Sequence, residues 1–325
     1  MSIWKKSRLD AILVLFTLLQ AASILVMAYT FELMSLEVKV FCALFLAASI
    51  AYNIIVVTHL FTHSRWFANE WLNRVVSLIN SMTAGQSVEL YRLTHGRNHH
   101  RFNNDRKGSD GSTRDMTSTY RGGRNGEHIG PIKYAFGGAV QSLFGRAVEA
   151  SAVWRLWRVG PNERIILLLA SRREPRRSQE LRQVQLERAV QSLSFVVFLA
   201  ISWQWTLACY LPAYFVALVM VNVQNYYRHY GANPDLGCAN AVSHYGRLYN
   251  WLAFNDGYHQ EHHLSPSAHW SQLPSVRQSI GSAERIISPV PALVGFLDIR
   301  RKMLHRSEST VESIAAPLAA PGQEG

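Results

Sequence analysis

The stretch AVQSLSFVVFLAISWQWTLACYLPAYFVALVMVNVQNYY, residues 189–227, carries no charged side chain over 39 positions. A helix rises 1.5 Å per residue, so about 20 apolar residues cross a hydrocarbon core of about 30 Å. The run is therefore long enough for two crossings. Pro212 stands near its middle, and proline interrupts helices, so the chain is expected to turn near Tyr210–Pro212 and return, giving spans at 189–209 and 211–227.

The N-terminal region repeats the pattern. Residues 11–31 (AILVLFTLLQAASILVMAYTF) are uncharged, and after a short turn with Glu32 and Glu37 residues 40–58 (VFCALFLAASIAYNIIVVT) run back. A cleaved secretory signal would be shorter and end in small residues, whereas here a second apolar run follows at once, so the first span is read as retained. Two hairpins place the N-terminus, the segment 59–188 and everything from Arg228 onward on one face. Lys5, Lys6 and Arg8 precede the first span and Arg172, Arg173, Arg176 and Arg177 precede the third, so that face is cytoplasmic. Both termini are expected there, with the protein in the cell (inner) membrane.

A mean hydropathy of −0.01 would suit a soluble chain, but it averages apolar runs with basic connectors. The net charge of +11 would suit nucleic-acid binding. Because the basic residues flank apolar runs, anionic lipid headgroups are the expected counterpart and no nucleic acid is. Three cysteines with no CxxC pair exclude a disulfide framework and a zinc ribbon.

The expected fold is thus all-α, an integral membrane protein with four transmembrane helices in two hairpins and a helical cytosolic cap. One domain covers 1–305, and the small, polar, Pro-containing residues 306–325 form a disordered tail. Residues 132–157 mix apolar and basic positions at helical spacing. They either lie in the membrane interface or pack on the cap.

Metal chemistry falls to the thirteen histidines. THLFTH sets His59 and His63 four apart, on one face of a helix continuing beyond the second span. Alone this pair is better explained as interface residues interacting with the helix dipole. HGRNHH places His95 and His99 on one face with His100 next, and HQEHH holds His259, His262 and His263. His229 follows the last span directly. Packed imidazoles must stay neutral or repel, and a cation resolves that. Nine imidazoles exceed the needs of one ion, so two are implied; imidazole suits Zn, Cu, Fe and Ni alike. The remaining histidines, His128, His244, His269 and His305, are read as surface or packing residues. His269 and Glu261 are also candidates for orienting ligand imidazoles, while Asp105 and Asp256 are read as exposed acids after a helix.

This series of boxes resembles the membrane fatty-acid desaturase and hydroxylase superfamily over roughly residues 40–280. NHHRFNND (98–105) and NDGYHQEHHLSPSAHW (255–270) are similar to the second and third boxes with their flanks, and NYYRHYG (225–231) supplies a further histidine. The resemblance implies two non-haem irons held by His59, His63, His95, His99, His100, His229, His259, His262 and His263, with Asn225 as a water-mediated outer partner. It implies O2 as co-substrate and oxidation of an unactivated C–H bond in an acyl chain or fatty-acid-derived lipid, by desaturation. His229–Gly231 also resembles membrane alkane hydroxylases, which carry more spans, and PSAHW resembles carotenoid ketolases. Hydroxylation or ketolation of alkane, sterol or carotenoid is therefore the alternative. A non-catalytic metal-binding membrane protein is a second. The chain lacks an HPGG haem signature and a rubredoxin CxxC pair, so electrons are expected from a separate ferredoxin, rubredoxin or cytochrome b5-type donor. Trp203, Trp205, Tyr226, Tyr227 and Trp251 either line a substrate path or form an interfacial belt.

Overall fold

The computed structural model describes residues 2–124, 126–154 and 161–300. His305 and the tail at 306–325 lie outside them. The described residues are mostly helical, with two isolated β-bridges and no strand.

Four helices are long and apolar enough to cross a membrane: α1 (Asp10–Leu33), α2 (Leu36–His63), and, further along, Arg176–Ile201 and Trp203–His229. Between α2 and the second pair come α3 (Glu70–Thr83), α4 (Val88–Thr94), α5 (Pro131–Trp154) and α6 (Pro161–Leu169). The second long pair is α7 and α8. Short helices follow, among them α9 (Arg247–Leu252) and α10 (His259–Leu264).

The helix breaks between α7 and α8 at Ser202, not at Tyr210–Pro212. Ser202 is extended (φ −157°, ψ 101°) and its hydroxyl accepts the Trp205 amide at 3.1 Å, as an N-cap does. Pro212 is instead absorbed inside α8. It follows a π-helical turn at Thr206–Tyr210, whose shifted hydrogen-bond register tolerates a residue without an amide hydrogen.

The long helices are built inside out for water. Leu15, Leu18, Leu19, Val26, Phe41, Leu44, Leu193 and Trp203 are exposed, an apolar surface no soluble monomer presents at this extent. Inside, the Asn53 amide donates to Gln20 (2.6 Å) and Thr83 (3.0 Å), and Thr17 donates to Asn80 (2.8 Å). Buried polar links of this kind hold helices together where lipid supplies no hydrophobic drive. Further along α7, Glu187 is fully buried and accepts from Ser77, Ser87, Gln183 and the Glu89 amide, which ties α7 to α3 and α4. An apolar core of Ile24, Leu46, Ile50, Phe198, Trp205 and Tyr214 joins α1, α2, α7 and α8.

α5 runs antiparallel along α8: Tyr134 meets Asn225, Gly138 sits against Asn222, and Arg146 lies over the Tyr214 ring. Ile132, Phe136, Val140 and Phe144, four residues apart, point outward. That stripe fits lipid contact better than packing on a polar cap.

Candidate metal centre

Nine imidazoles converge where four chain segments meet. α2 ends in His59 and His63, α4 continues through a π-helical turn at His95–His99 into His100, α8 ends in His229, and α10 carries His259, His262 and His263. They fall into two groups. His59, His63, His95, His100 and His262 form one, and His99, His229, His259 and His263 the other, with the candidate ligand atoms of each group within 4.8 Å of one another.

The second box departs from its expected register. An α-helix would put His95 and His99 on one face. The π turn instead pairs His95 with His100, whose Nε2 atoms lie 3.1 Å apart, and turns His99 to the other group. The third box splits as α-helical spacing dictates, His259 and His263 to one group and His262 to the other. His262 Nε2 lies 3.1 Å from His59 Nε2. Two nitrogens bound at about 2.1 Å and a right angle to one ion sit about 3 Å apart, so these pairs match the edges of a coordination shell.

The outer nitrogens are held. His99 Nδ1 lies 2.8 Å from Asp115 Oδ2, His263 Nδ1 3.0 Å from Asn103 Oδ1, and His229 Nδ1 3.1 Å from the Asn240 carbonyl. Each bond places the ring hydrogen on Nδ1 and leaves Nε2 with a free lone pair. The Nε2 atoms of His63, His99, His229, His259 and His263 are buried without a hydrogen-bond partner. Buried nitrogens so left over are what a metal would satisfy, so the residues fit two ions.

Electrostatics favour neutral rings. Burial, reinforced by neighbouring imidazoles, holds His95, His100, His262 and His263 well below the ordinary histidine value, and burial with nearby Arg228 does the same for His259. Burial works against the charge on Asp256, but Arg228 and His59 outweigh it and keep its carboxyl below the usual range.

Asp256 and Asp105, read from sequence as exposed, are buried. Asp256 pairs with Arg228, accepts from the Tyr249 hydroxyl at 3.0 Å, and lies 3.4 Å from His59 Nδ1. Asp105 accepts the Asp115 amide at 2.9 Å, so it orients the carboxylate that orients His99. Asp115, Asn103 and Asn240 were not legible as site residues. Asn103 and Asn104 take left-handed φ of 49° and 61°, a conformation asparagine tolerates, and the Asn-Asn pair after the second box was the available signal.

Other candidates lie elsewhere. Glu261 accepts from Ser243 and Tyr245, and His269 meets Asp10 at the start of α1, so neither touches the nine imidazoles. His244 bonds the Ser288 carbonyl, and His128 stacks on Tyr120. The Asn225 amide donates to the Tyr134 hydroxyl at 2.6 Å, one turn before His229. Trp203 and Trp251 are exposed, while Trp205 is buried against Phe198.

The fatty acid desaturase family pattern matches residues 36–283, which takes in all nine histidines. The chain belongs to that family. No curated protein matches it. Membership supports desaturase- or hydroxylase-type chemistry at a metal site, on a chain whose four apolar helices mark it as a membrane protein.

Proposed function

We propose that this chain is a membrane-embedded, O2-dependent di-iron desaturase of an acyl chain or fatty-acid-derived lipid. The observation that carries the reading is the division of nine buried or half-buried imidazoles into a group of five and a group of four around unsatisfied nitrogens. Five nitrogen donors at one point exceed the tetrahedral shell of zinc and suit an octahedral ion. His59, His63, His95, His100 and His262 would hold one iron, and His99, His229, His259 and His263 the other, with Asn225 an outer partner of the smaller group.

Bound iron would supply, with O2, an oxidant strong enough for an unactivated C–H bond, which no side chain offers. The chain's own residues do the rest. Asp115, Asn103 and the Asn240 carbonyl fix the ring orientation of His99, His263 and His229, and Asp256 lies against His59. Burial of the second group keeps bulk water from its four imidazoles. The two hairpins would set this centre under the cytoplasmic face, with substrate arriving from the bilayer. A separate ferredoxin, rubredoxin or cytochrome b5-type protein would deliver electrons, and the charge of +11 suits an acidic donor.

The test is expression in a host that lacks desaturases, followed by mass spectrometry of its lipids. New double bonds that vanish in His263→Ala support the proposal. Hydroxylated or keto products in their place would assign the chain to the oxygenating branch, and an unchanged lipid profile with iron-loaded protein would contradict catalysis on acyl lipids.

A further inference from the structure

A cavity of about 360 Å³ opens between α3, α5, α7 and α8, within the range of small-molecule sites. None of the nine histidines lines it. Tyr214 on its wall precedes His229 by 15 residues (214 to 229) on α8, about 22 Å along the axis, so the cavity is remote from the centre.

Its lining is segregated. Phe195, Phe198, Tyr210 and Leu211 make an apolar end, while Arg146 and Arg188 bring guanidinium groups to the other. Arg146 reaches Gln86 Oε1 at 3.3 Å and lies over the Tyr214 ring. Even so, Arg146 Nε and Gln86 Nε2 are buried donors without an acceptor. Of these two residues Arg146 lines the cavity, and a cationic donor without an acceptor calls for an anionic oxygen. From Arg188 to Phe198 along α7 is ten residues, about 15 Å, room for a stretch of hydrocarbon beside the head. Gly85 shapes the wall: its φ is +60°, the Tyr214 hydroxyl donates to its carbonyl, and a Cβ there would meet the Tyr214 ring at 2.7 Å.

We infer that this cavity is a second ligand site, apart from the histidine centre, for an anionic amphiphile. The carboxylate or phosphate head sits against Arg146, which Gln86 braces from behind, and one acyl chain lies along Phe195, Phe198 and Tyr210.

The experiment uses full-length protein in a neutral detergent and reads retained lipid by native mass spectrometry, which needs no metal and no turnover. Oleate, phosphatidylglycerol, oleyl alcohol and phosphatidylcholine are the probes. The anionic probes should be retained about tenfold or more over the neutral ones, the scale of one charge-assisted hydrogen bond. Arg146→Gln should remove that preference, Arg146→Lys should keep most of it, and Leu143→Trp, which fills the cavity, should abolish retention, all with histidine-centre iron unchanged. Preference for oleate would name a free carboxylate as the ligand, and preference for phosphatidylglycerol a phospholipid. Equal retention of charged and neutral probes, or full retention by Arg146→Gln, would overturn the proposal.

Discussion

The Nδ1 of His99 lies 2.8 Å from Oδ2 of Asp115, and that contact decides which nitrogen His99 offers to the centre. Asp115 is itself fixed, accepting the Asn104 and Thr117 amides at 2.8 Å each. Burial would raise its carboxyl, but His99 and these hydrogen bonds hold it well below the usual carboxylate range. Asp115→Asn should therefore lower metal affinity of the four-histidine group by about 10- to 100-fold and leave the five-histidine group filled. Titrating metal-free protein with Fe(II) would show one strong and one weakened site; equal weakening of both would contradict the assignment.

Asp256 acts differently, because it is the counter-ion of the buried Arg228. Asp256→Asn leaves that guanidinium without its charge, a change that costs about 3–5 kcal/mol in comparable buried pairs. The expected result is a lowered unfolding temperature in detergent together with weaker iron at the His59 group. Stability equal to the parent protein would show that Arg228 finds another partner.

Asn103 separates backbone from side-chain effects. Its φ of 49° suits asparagine or glycine, and its side-chain Oδ1 accepts from His263 Nδ1. Asn103→Gly should keep stability within about 1 kcal/mol yet loosen metal at the four-histidine group, whereas Asn103→Ala should lose both. Thermal unfolding alongside metal content distinguishes the two.

The buried imidazoles also set a pH dependence for the metal-free protein. His95, His100, His259, His262 and His263 are held below the ordinary value of 6.5 in the fold, while in the unfolded chain they return to it. Below about pH 6.5 the unfolded chain thus binds more protons. The stability present above that pH is lost on acidification, at up to about 1.4 kcal/mol per pH unit for each group. Unfolding temperature should fall steeply between pH 7.5 and 5.5, and at least as steeply with iron bound, because metal-bound rings take up no protons in the fold. A flat profile would mean that the rings are not buried as described.

The nine histidines and the four long helices were legible because each has a local sign: histidines at helical spacing, and charge-free runs of bilayer length. The helix break at Ser202 was not, since within an uncharged run the proline is the loudest signal and a serine cap is quiet. The pairing of His95 with His100 was equally hidden, because a π turn changes the period without changing composition. Asp115 was out of reach for another reason. It stands 16 residues after His99, and the loop that returns it is held by Asn98, Asn104 and Asp105 through contacts that no short motif announces.

Two irons, one in each imidazole group, are what the site's geometry calls for. Mössbauer spectroscopy and metal analysis of protein loaded with iron-57 test it most directly. Two irons per chain are expected in nitrogen-rich surroundings, with one lost in His229→Ala and the other in His63→Ala. A single iron, or a pair indifferent to both substitutions, would contradict it.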